Sequence, residues 1–389
     1  MDATDIRTHH DVTGRAQRAA IAAFLNRGQR TAIAILNGRP PSSATSPGLA
    51  SLIVVLRVIY AYLLTQPGAL PFLDWVKSEE KQNTILRAAW HPFGDEPEEI
   101  KLATRSMNKW VEDLRSKGFS PNESFYTLCE SSLMKNTFWS HPGIRVVRPP
   151  AQVESSNAAG SYLHADLLEF RPAQKPGQTL QAFADDLFET TTARPPIIRL
   201  LYHSDEKQPI DFKDLRSFRP PVSSDAAHGM QKTYMVLAIV RLNDKSHKND
   251  YVRTYSIDGP NLIAEYEPPS FMAHRWSVRD APVKYMLIYG LHESWSHNLP
   301  DLASLPEIAT YPVSKAQISF LRGVHDDLKG MLTLKAAEAD SAAAAGDTQQ
   351  SETEYKDSRI SSDGTYFRKA AWKVKENSPG YGSDRPYRE

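Results

Sequence analysis

Residues 232–290 constrain the fold of this chain most, because they alternate short apolar and polar segments in the manner of closely spaced strands. Residues 233–241 (TYMVLAIVR) are rich in β-formers, and residues 250–257 (DYVRTYSI) alternate. Residues 276–280 (WSVRD) form a short segment, and residues 284–290 (KYMLIYG) are apolar again. We therefore predict four strands in this part of the chain.

A different pattern occupies residues 47–140, where apolar residues recur at the three- and four-residue spacing of helices. The most apolar run, residues 49–64 (LASLIVVLRVIYAYLL), is shorter than the roughly 20 residues that a membrane span needs, and it carries Arg57 at its centre. We predict a buried helix there and a second, amphipathic helix around residues 100–114.

Strand patterns return after this helical region, and one helix interrupts them. We predict strands at residues 144–147, 161–170 and 196–202. The interrupting helix is predicted at residues 180–189, with Thr179 as its N-cap. Helices followed by strands imply an α+β domain, with a helical N-terminal half and an antiparallel sheet in the C-terminal half.

Composition divides the chain into four parts. Residues 1–46 are polar and end in a Pro/Ser-rich linker, which predicts a mobile N-terminal arm. Residues 47–300 are the predicted folded domain, and residues 301–334 a C-terminal helical extension. Residues 335–389 are too poor in apolar residues to offset the entropy of ordering, so we predict a disordered tail.

Charge and cysteine content exclude several classes of function. The 46 basic and 46 acidic residues cancel, so no general attraction to nucleic acid or to an anionic membrane is expected. The single cysteine, Cys129, excludes an intramolecular disulfide and a cysteine-rich zinc site. The amino terminus lacks the basic-then-apolar pattern of a signal peptide, which predicts an intracellular protein of the cytoplasm or nucleus.

Several segments, read in order, resemble the ubiquitin-specific protease family. The apolar end of residues 47–57 (PGLASLIVVLR) is similar to the family's box in which a cysteine begins a buried helix. The order and spacing of the later blocks carry the rest of the resemblance: residues 138–143, 161–170, 179–189, 195–201, 210–215, 234–239, 249–253, 276–280 and 285–289. The resemblance implies a papain-like cysteine peptidase fold, with the sheet at its C-terminal side.

The same resemblance implies that the catalytic machinery is missing. It places the thiol at Ala50 and the histidine at Asp250, while the orienting carboxylate falls at or next to Asp280. Cysteine peptidase chemistry needs a thiolate and an imidazole, so two of the three roles are empty. We therefore expect a pseudoenzyme, a deubiquitinase fold without activity, that acts as a protein-binding or scaffolding module.

The expected partner is a protein, with ubiquitin or a ubiquitinated protein as the candidate, and no cofactor or metal is expected. Aromatic residues of the C-terminal strands are the candidate binding residues: Tyr251, Trp276 and Tyr285.

Two enzyme alternatives remain open from the sequence. The first is an active ubiquitin-specific protease with Cys129 as the nucleophile and His247, His274 or His292 as the base. The second is an oxygenase dependent on Fe(II) and 2-oxoglutarate. His164 and Asp166 have the His-x-Asp spacing of half a facial triad, and His274 would be the third ligand.

Overall fold

A computed structural model of the chain describes residues 48–65, 75, 78–90, 97–141, 144, 146–147, 164–165, 167–189, 194–221, 230–244, 248–255, 275–295 and 307. The chain divides into two units, residues 1–333 and 334–389, and every described residue belongs to the first. The predicted N-terminal arm and C-terminal tail lie outside the described residues. Of the predicted extension 301–334, only Glu307 is described.

Five helices precede the first strand in the described part of the chain. They are α1 (Gly48–Thr65), α2 (Thr84–Trp90), α3 (Pro97–Ser116), α4 (Phe125–Cys129) and α5 (Ser132–Asn136). Two more lie among the strands, α6 (Leu180–Phe188) and α7 (Phe212–Leu215), and a 3-10 turn covers Pro172–Gln174. The predicted N-cap of α6 is confirmed, because Thr179 Oγ1 accepts a hydrogen bond from Ala182 N at 3.1 Å.

Eight strands follow the helical half within the described ranges. They are β1 (Val146–Val147), β2 (His164–Ala165), β3 (Leu168–Phe170), β4 (Ile197–His203), β5 (Ser217–Phe218), β6 (Met230–Arg241), β7 (Tyr251–Thr254) and β8 (Lys284–Trp295). Helices first and strands afterwards make an α+β protein, as the sequence predicts.

The main sheet has six strands in the order β3-β4-β8-β6-β5, with β7 also paired to β6. Its long pairs, β4 with β8 and β6 with β8, are antiparallel, but β3 and β4 run parallel. The prediction of an antiparallel sheet is therefore corrected to a mixed one. The physical reason is the connection that contains α6: a helix-bearing crossover returns the chain to the end of the sheet from which it left.

Two segments predicted as strands differ in the structure. Residues 161–170 do not form one strand, because β2 pairs with β1 in a separate two-stranded sheet and β3 joins the main sheet. Residues 276–280 form a turn in which Ser277 O accepts from Asp280 N at 2.9 Å. Asp280 Oδ2 accepts in return from Ser277 N at 3.0 Å, and this pair of local bonds replaces any pairing with a neighbouring strand.

The main sheet is covered on both faces. Met286 and Ile288 of β8 belong to the core shared with α1, α2 and α4, whereas Tyr285, Leu287 and Tyr289 belong to the core shared with α6 and α7. Alternate residues of a strand point to opposite faces, so this strand must be apolar throughout. Its continuous apolar run is thereby explained.

Helix α1 is buried, as its sequence predicts. Its Arg57 lies inside the protein at 5% exposure, where Nη1 donates to Ala89 O of α2 at 3.2 Å. Near the C-terminal end of α1, the Tyr62 hydroxyl donates a hydrogen bond to Leu291 O of β8. A Cβ on Gly290 would lie 2.9 Å from the Tyr62 ring, so a glycine is needed for this close approach. No helix among the described residues is long and apolar enough to cross a membrane.

A β-bulge bends the central strand β6. Val236 pairs with Tyr289 and Ala238 with Ile288, which leaves Leu237 as the extra residue. Leu237 and Ala238 consequently both join the core on the α1 side. The backbone carbonyl of Leu237 accepts from Tyr255 N at 2.8 Å, just beyond β7.

Candidate functional site

The first position of the expected catalytic set is Ala50, in the first turn of α1. Its side chain is buried, at 3% exposure. Two residues earlier, a Cβ on Gly48 would lie 2.2 Å from Glu123 O and 2.5 Å from Phe125 N, so α1 begins directly against the segment that leads into α4. Ser51, next in sequence, is fully buried, and its hydroxyl has no hydrogen-bond partner among the described residues.

The second position, Asp250, immediately precedes β7 and is fully buried. Its two carboxylate oxygens accept backbone hydrogen bonds from different parts of the chain: Oδ2 from Phe125 N at 2.8 Å and Oδ1 from Asn243 N at 2.9 Å. Burial raises the pKa of Asp250 above its ordinary value, and the two backbone donors oppose that rise. This carboxylate therefore ties the first residue of α4 to the loop between β6 and β7.

The start of α1, which carries Ala50 in its first turn, and Asp250 meet the same segment of the chain. The start of α1 packs against residues 123–125, and Asp250 bonds to Phe125 N in the same segment. The arrangement brings the first turn of α1 and Asp250 to the same segment, although they are far apart in sequence. The described residues that make these contacts include no thiol and no imidazole.

The third position, Asp280, lies in the turn before β8. It is exposed, and its carboxylate accepts from Ser277 N within the turn. Its backbone carbonyl accepts from Ser204 Oγ at 2.6 Å and from Tyr285 Oη at 3.1 Å. Asp280 thus stabilises its own turn, while both oxygens of Asp250 are engaged by backbone donors elsewhere.

Cys129, the nucleophile of the protease alternative, is fully buried at the end of α4. Burial raises the pKa of its thiol to about 11, although the neighbouring Arg199 opposes the rise. Arg199 Nη1 donates to Sγ at 3.4 Å. The thiol therefore stays protonated at neutral pH, and it contacts a cation instead of a general base.

Arg199 is the centre of a buried charged cluster between β4 and the helical layer. Its side chain is 1% exposed and pairs with Glu130, which also lies 3.3 Å from Lys135. The guanidinium carbon lies 3.9 Å from the ring centroid of Trp139, a cation–π contact. The cluster fixes α4 and the turn that follows it to the sheet.

The candidate binding residues differ in accessibility. Trp276 and Tyr285 are buried, at 5% and 0% exposure, and their rings stack with centroids 5.8 Å apart. Tyr285 donates its hydroxyl to Ser277 O at 2.7 Å. Tyr251 is half-buried at the start of β7. Trp276 and Tyr285 therefore pack in the core, and of the three predicted binding residues Tyr251 is the one with accessible surface.

A carboxylate-binding cluster that sequence reasoning did not identify lies beside them. The carboxylate of Glu307 accepts from Arg253 Nη1 at 3.1 Å, from Val278 N at 2.7 Å and from Ser277 Oγ at 3.0 Å. Tyr255 Oη donates to the backbone carbonyl of Glu307 at 3.1 Å. No sequence spacing could have linked these donors to Glu307, because they come from separate segments.

The iron site of the oxygenase alternative is only partly described. His164 lies in β2, whereas Asp166 and His274 lie outside the described residues. Within the described ranges, no group of three His, Cys, Asp or Glu residues is arranged to hold a metal ion. The base candidates of the protease alternative divide in the same way: His292 is half-buried in β8, and His247 lies outside the described residues.

Comparisons with protein-family models, with curated proteins and with solved structures found no match to this chain. The resemblance to ubiquitin-specific proteases is thus carried by the residues of the chain alone.

Proposed function

We propose that this protein is a catalytically inactive member of the ubiquitin-specific protease fold that works as a protein-binding or scaffolding module. The observation that carries the proposal is the junction of α1, α4 and β7. There the start of α1, two residues before Ala50, and the carboxylate of Asp250 both contact residues 123–125, and Asp250 serves as a structural tie. This supports the proposal, because the resemblance assigns the thiol to Ala50 and the imidazole to Asp250. On this proposal the fold retains a protein-binding surface without the catalytic thiol and imidazole.

The chemistry of the junction supports inactivity. Loss of the nucleophile costs on the order of a million-fold in rate, so an alanine there cannot sustain turnover. The neighbouring Ser51 is no substitute, because its hydroxyl contacts no base among the described residues. Cys129 is no substitute either, since it is buried and its pKa is raised to about 11.

Binding requires an accessible anchor, and the structure offers one next to the junction. Tyr126 is the exposed large hydrophobic residue of the described part of the chain, at 37% exposure. It follows Phe125, whose backbone N–H holds Asp250. Tyrosine is enriched among the few residues that carry most of the binding free energy at protein interfaces. We assign Tyr126 and the half-buried Tyr251 as binding candidates.

Ubiquitin is the first partner to test. Isothermal titration of the full chain with mono-ubiquitin and di-ubiquitin is expected to give saturable heat. The variant Tyr126→Ala is expected to weaken binding by about 2 kcal/mol or more, roughly 30-fold in Kd. Lys213→Ala is the control, because Lys213 is exposed on α7, which covers the other face of the sheet. Absence of heat at high micromolar concentration would exclude ubiquitin and its chains as the ligand.

Activity is tested separately with a ubiquitin-propargyl probe, which forms a covalent adduct with the nucleophile of an active deubiquitinase. We expect no adduct with the native chain. An adduct at Cys129 would overturn the assignment of inactivity and would restore the active protease as the better interpretation.

A further inference from the structure

We propose that Arg253, Ser277 and Val278 form a binding site for a carboxylate of a partner peptide, and that Glu307 occupies this site as an internal ligand. The three residues are called the carboxylate cradle. The proposal does not depend on ubiquitin binding, because it concerns a different set of residues from the junction of α1, α4 and β7.

The geometry of the cradle is that of a recognition site for one carboxylate. Oε1 of Glu307 accepts from the Arg253 guanidinium and from Val278 N, while Oε2 accepts from Ser277 Oγ. One charged, one backbone and one hydroxyl donor thus converge on both oxygens of a single group. Hydrogen bonds in which a partner is ionised are shorter and stronger than neutral ones, which favours an anionic occupant.

The donors are held in place by contacts that do not involve Glu307. The guanidinium carbon of Arg253 lies 3.8 Å from the ring centroid of Trp276, and Nη2 donates to Trp276 O. Ser277 is fixed by its turn, in which Asp280 Oδ2 accepts from Ser277 N. A site whose donors are already oriented loses little conformational entropy when a ligand binds. The cradle would therefore keep its form after the departure of Glu307.

The electrostatics of the cradle favour replacement of Glu307 by another carboxylate over an empty cradle. The Arg253 side chain is 8% exposed, so removal of its ion-pair partner leaves a charge in poorly solvated surroundings. The Glu307 side chain is 21% exposed, so solvent and competing ligands reach the pair from that side. The incoming group can be the side chain of a glutamate or aspartate, or the carboxyl terminus of a peptide.

The experiment uses the full chain and three fluorescent peptides. The first contains one glutamate and has an amidated C terminus. The second replaces that glutamate by glutamine and has a free C-terminal carboxylate. The third has the glutamine and the amide, so it lacks both carboxylates. Fluorescence anisotropy measures binding of each peptide to the native chain, to Glu307→Ala and to Glu307→Gln.

We expect Glu307→Ala to bind at least one carboxylate peptide more tightly than the native chain by a factor of about ten or more, because an internal ligand weakens the apparent affinity by the fraction of molecules in which the site is open. The peptide that gains affinity identifies the source of the carboxylate, and the third peptide is expected to gain none. Adding Ser277→Ala to Glu307→Ala should reduce the gain, because one of the three donors is lost.

Circular dichroism and thermal unfolding establish that each variant is folded. If Glu307→Ala does not fold, Glu307→Gln is used instead. Its amide still fills the cradle but lacks the charge that pairs with Arg253, so a smaller gain for a carboxylate peptide is expected. A folded variant that binds the two carboxylate peptides no more tightly than the native chain does would overturn the proposal. Equal gains for all three peptides would also overturn it, since the carboxylate would then be irrelevant.

Discussion

Replacement of Asp250 tests whether this residue is a structural tie. In Asp250→Ala, Phe125 N and Asn243 N lose their acceptor. Phe125 is fully buried, whereas Asn243 is exposed and its N–H can bond to water instead. An unsatisfied buried N–H costs about 1–3 kcal/mol, so the loss at Phe125 N should lower the free energy of unfolding by about that amount. Most domains are stable by only roughly 5–15 kcal/mol, so the change is readily measured.

The matched control is Asp250→Asn, which keeps the size of the side chain. Its single amide oxygen can accept from one of the two donors, while its NH2 group faces the other donor. We therefore expect a smaller loss than in Asp250→Ala. Asp250→His, which returns an imidazole to the expected histidine position, should be at least as unstable as the alanine variant, because it is larger and cannot accept both bonds in the same geometry.

Urea unfolding followed by circular dichroism measures these differences. If Asp250→Ala stays within about 0.5 kcal/mol of the native chain, the range of ordinary surface substitutions, then Asp250 is not a structural tie.

The pH dependence of stability provides a further test of Asp250. The native state raises the pKa of Asp250 above the unfolded value. At a pH between the unfolded and the native pKa, the Asp250 carboxyl is therefore more protonated in the native state than in the unfolded state. Stability contributed by this group is present at low pH and declines as pH rises through that interval. The stability of the native chain relative to Asp250→Asn should decline in the same way.

Three other perturbations follow from the packing. Iodoacetamide should leave Cys129 unmodified in the native chain at pH 8 and modify it in urea, because at a pKa of about 11 only about one thiol in a thousand is ionised; rapid native labelling would contradict its burial. Gly290→Ala should cost about 1–3 kcal/mol, since the new methyl group would lie 2.9 Å from the Tyr62 ring, and an unchanged urea midpoint would show that the ring can move. Arg199→Met should cost about 1–3 kcal/mol, because Glu130 loses its buried partner and keeps only the exposed Lys135, and adding Glu130→Gln should recover part of this; equal stability of the single and double variants would argue against the ion pair.

Much of the fold follows from local sequence. The apolar run of α1 predicts a buried helix because too few polar residues are present for a solvent-facing side. Thr179 predicts the start of α6 because a hydroxyl can satisfy a free N–H of the first turn. The apolar runs at the centres of β4, β6 and β8 likewise predict buried strands, since strands covered on both faces need apolar residues at successive positions.

The candidate site was only partly predictable. The resemblance indicated Ala50 and Asp250 as the degenerate positions, but it could not reveal that Asp250 bonds to Phe125, a residue far away in sequence. It also proposed Trp276 and Tyr285 as contact residues, and their burial beneath the turn at residues 277–280 depends on packing that no local pattern encodes.

The sequence by itself determined the main elements (α1, α3, α6, β4, β6 and β8), that helices precede strands, and that a lone cysteine can form no disulfide within the chain. Each of these depends on residues close together along the chain. Only the tertiary structure decided that β3 runs parallel to β4, that Leu237 forms a bulge, and that Glu307 meets Arg253. The reason is physical: strand direction, register and side-chain pairing are set by contacts between distant segments, and their free energy depends on the whole packed core.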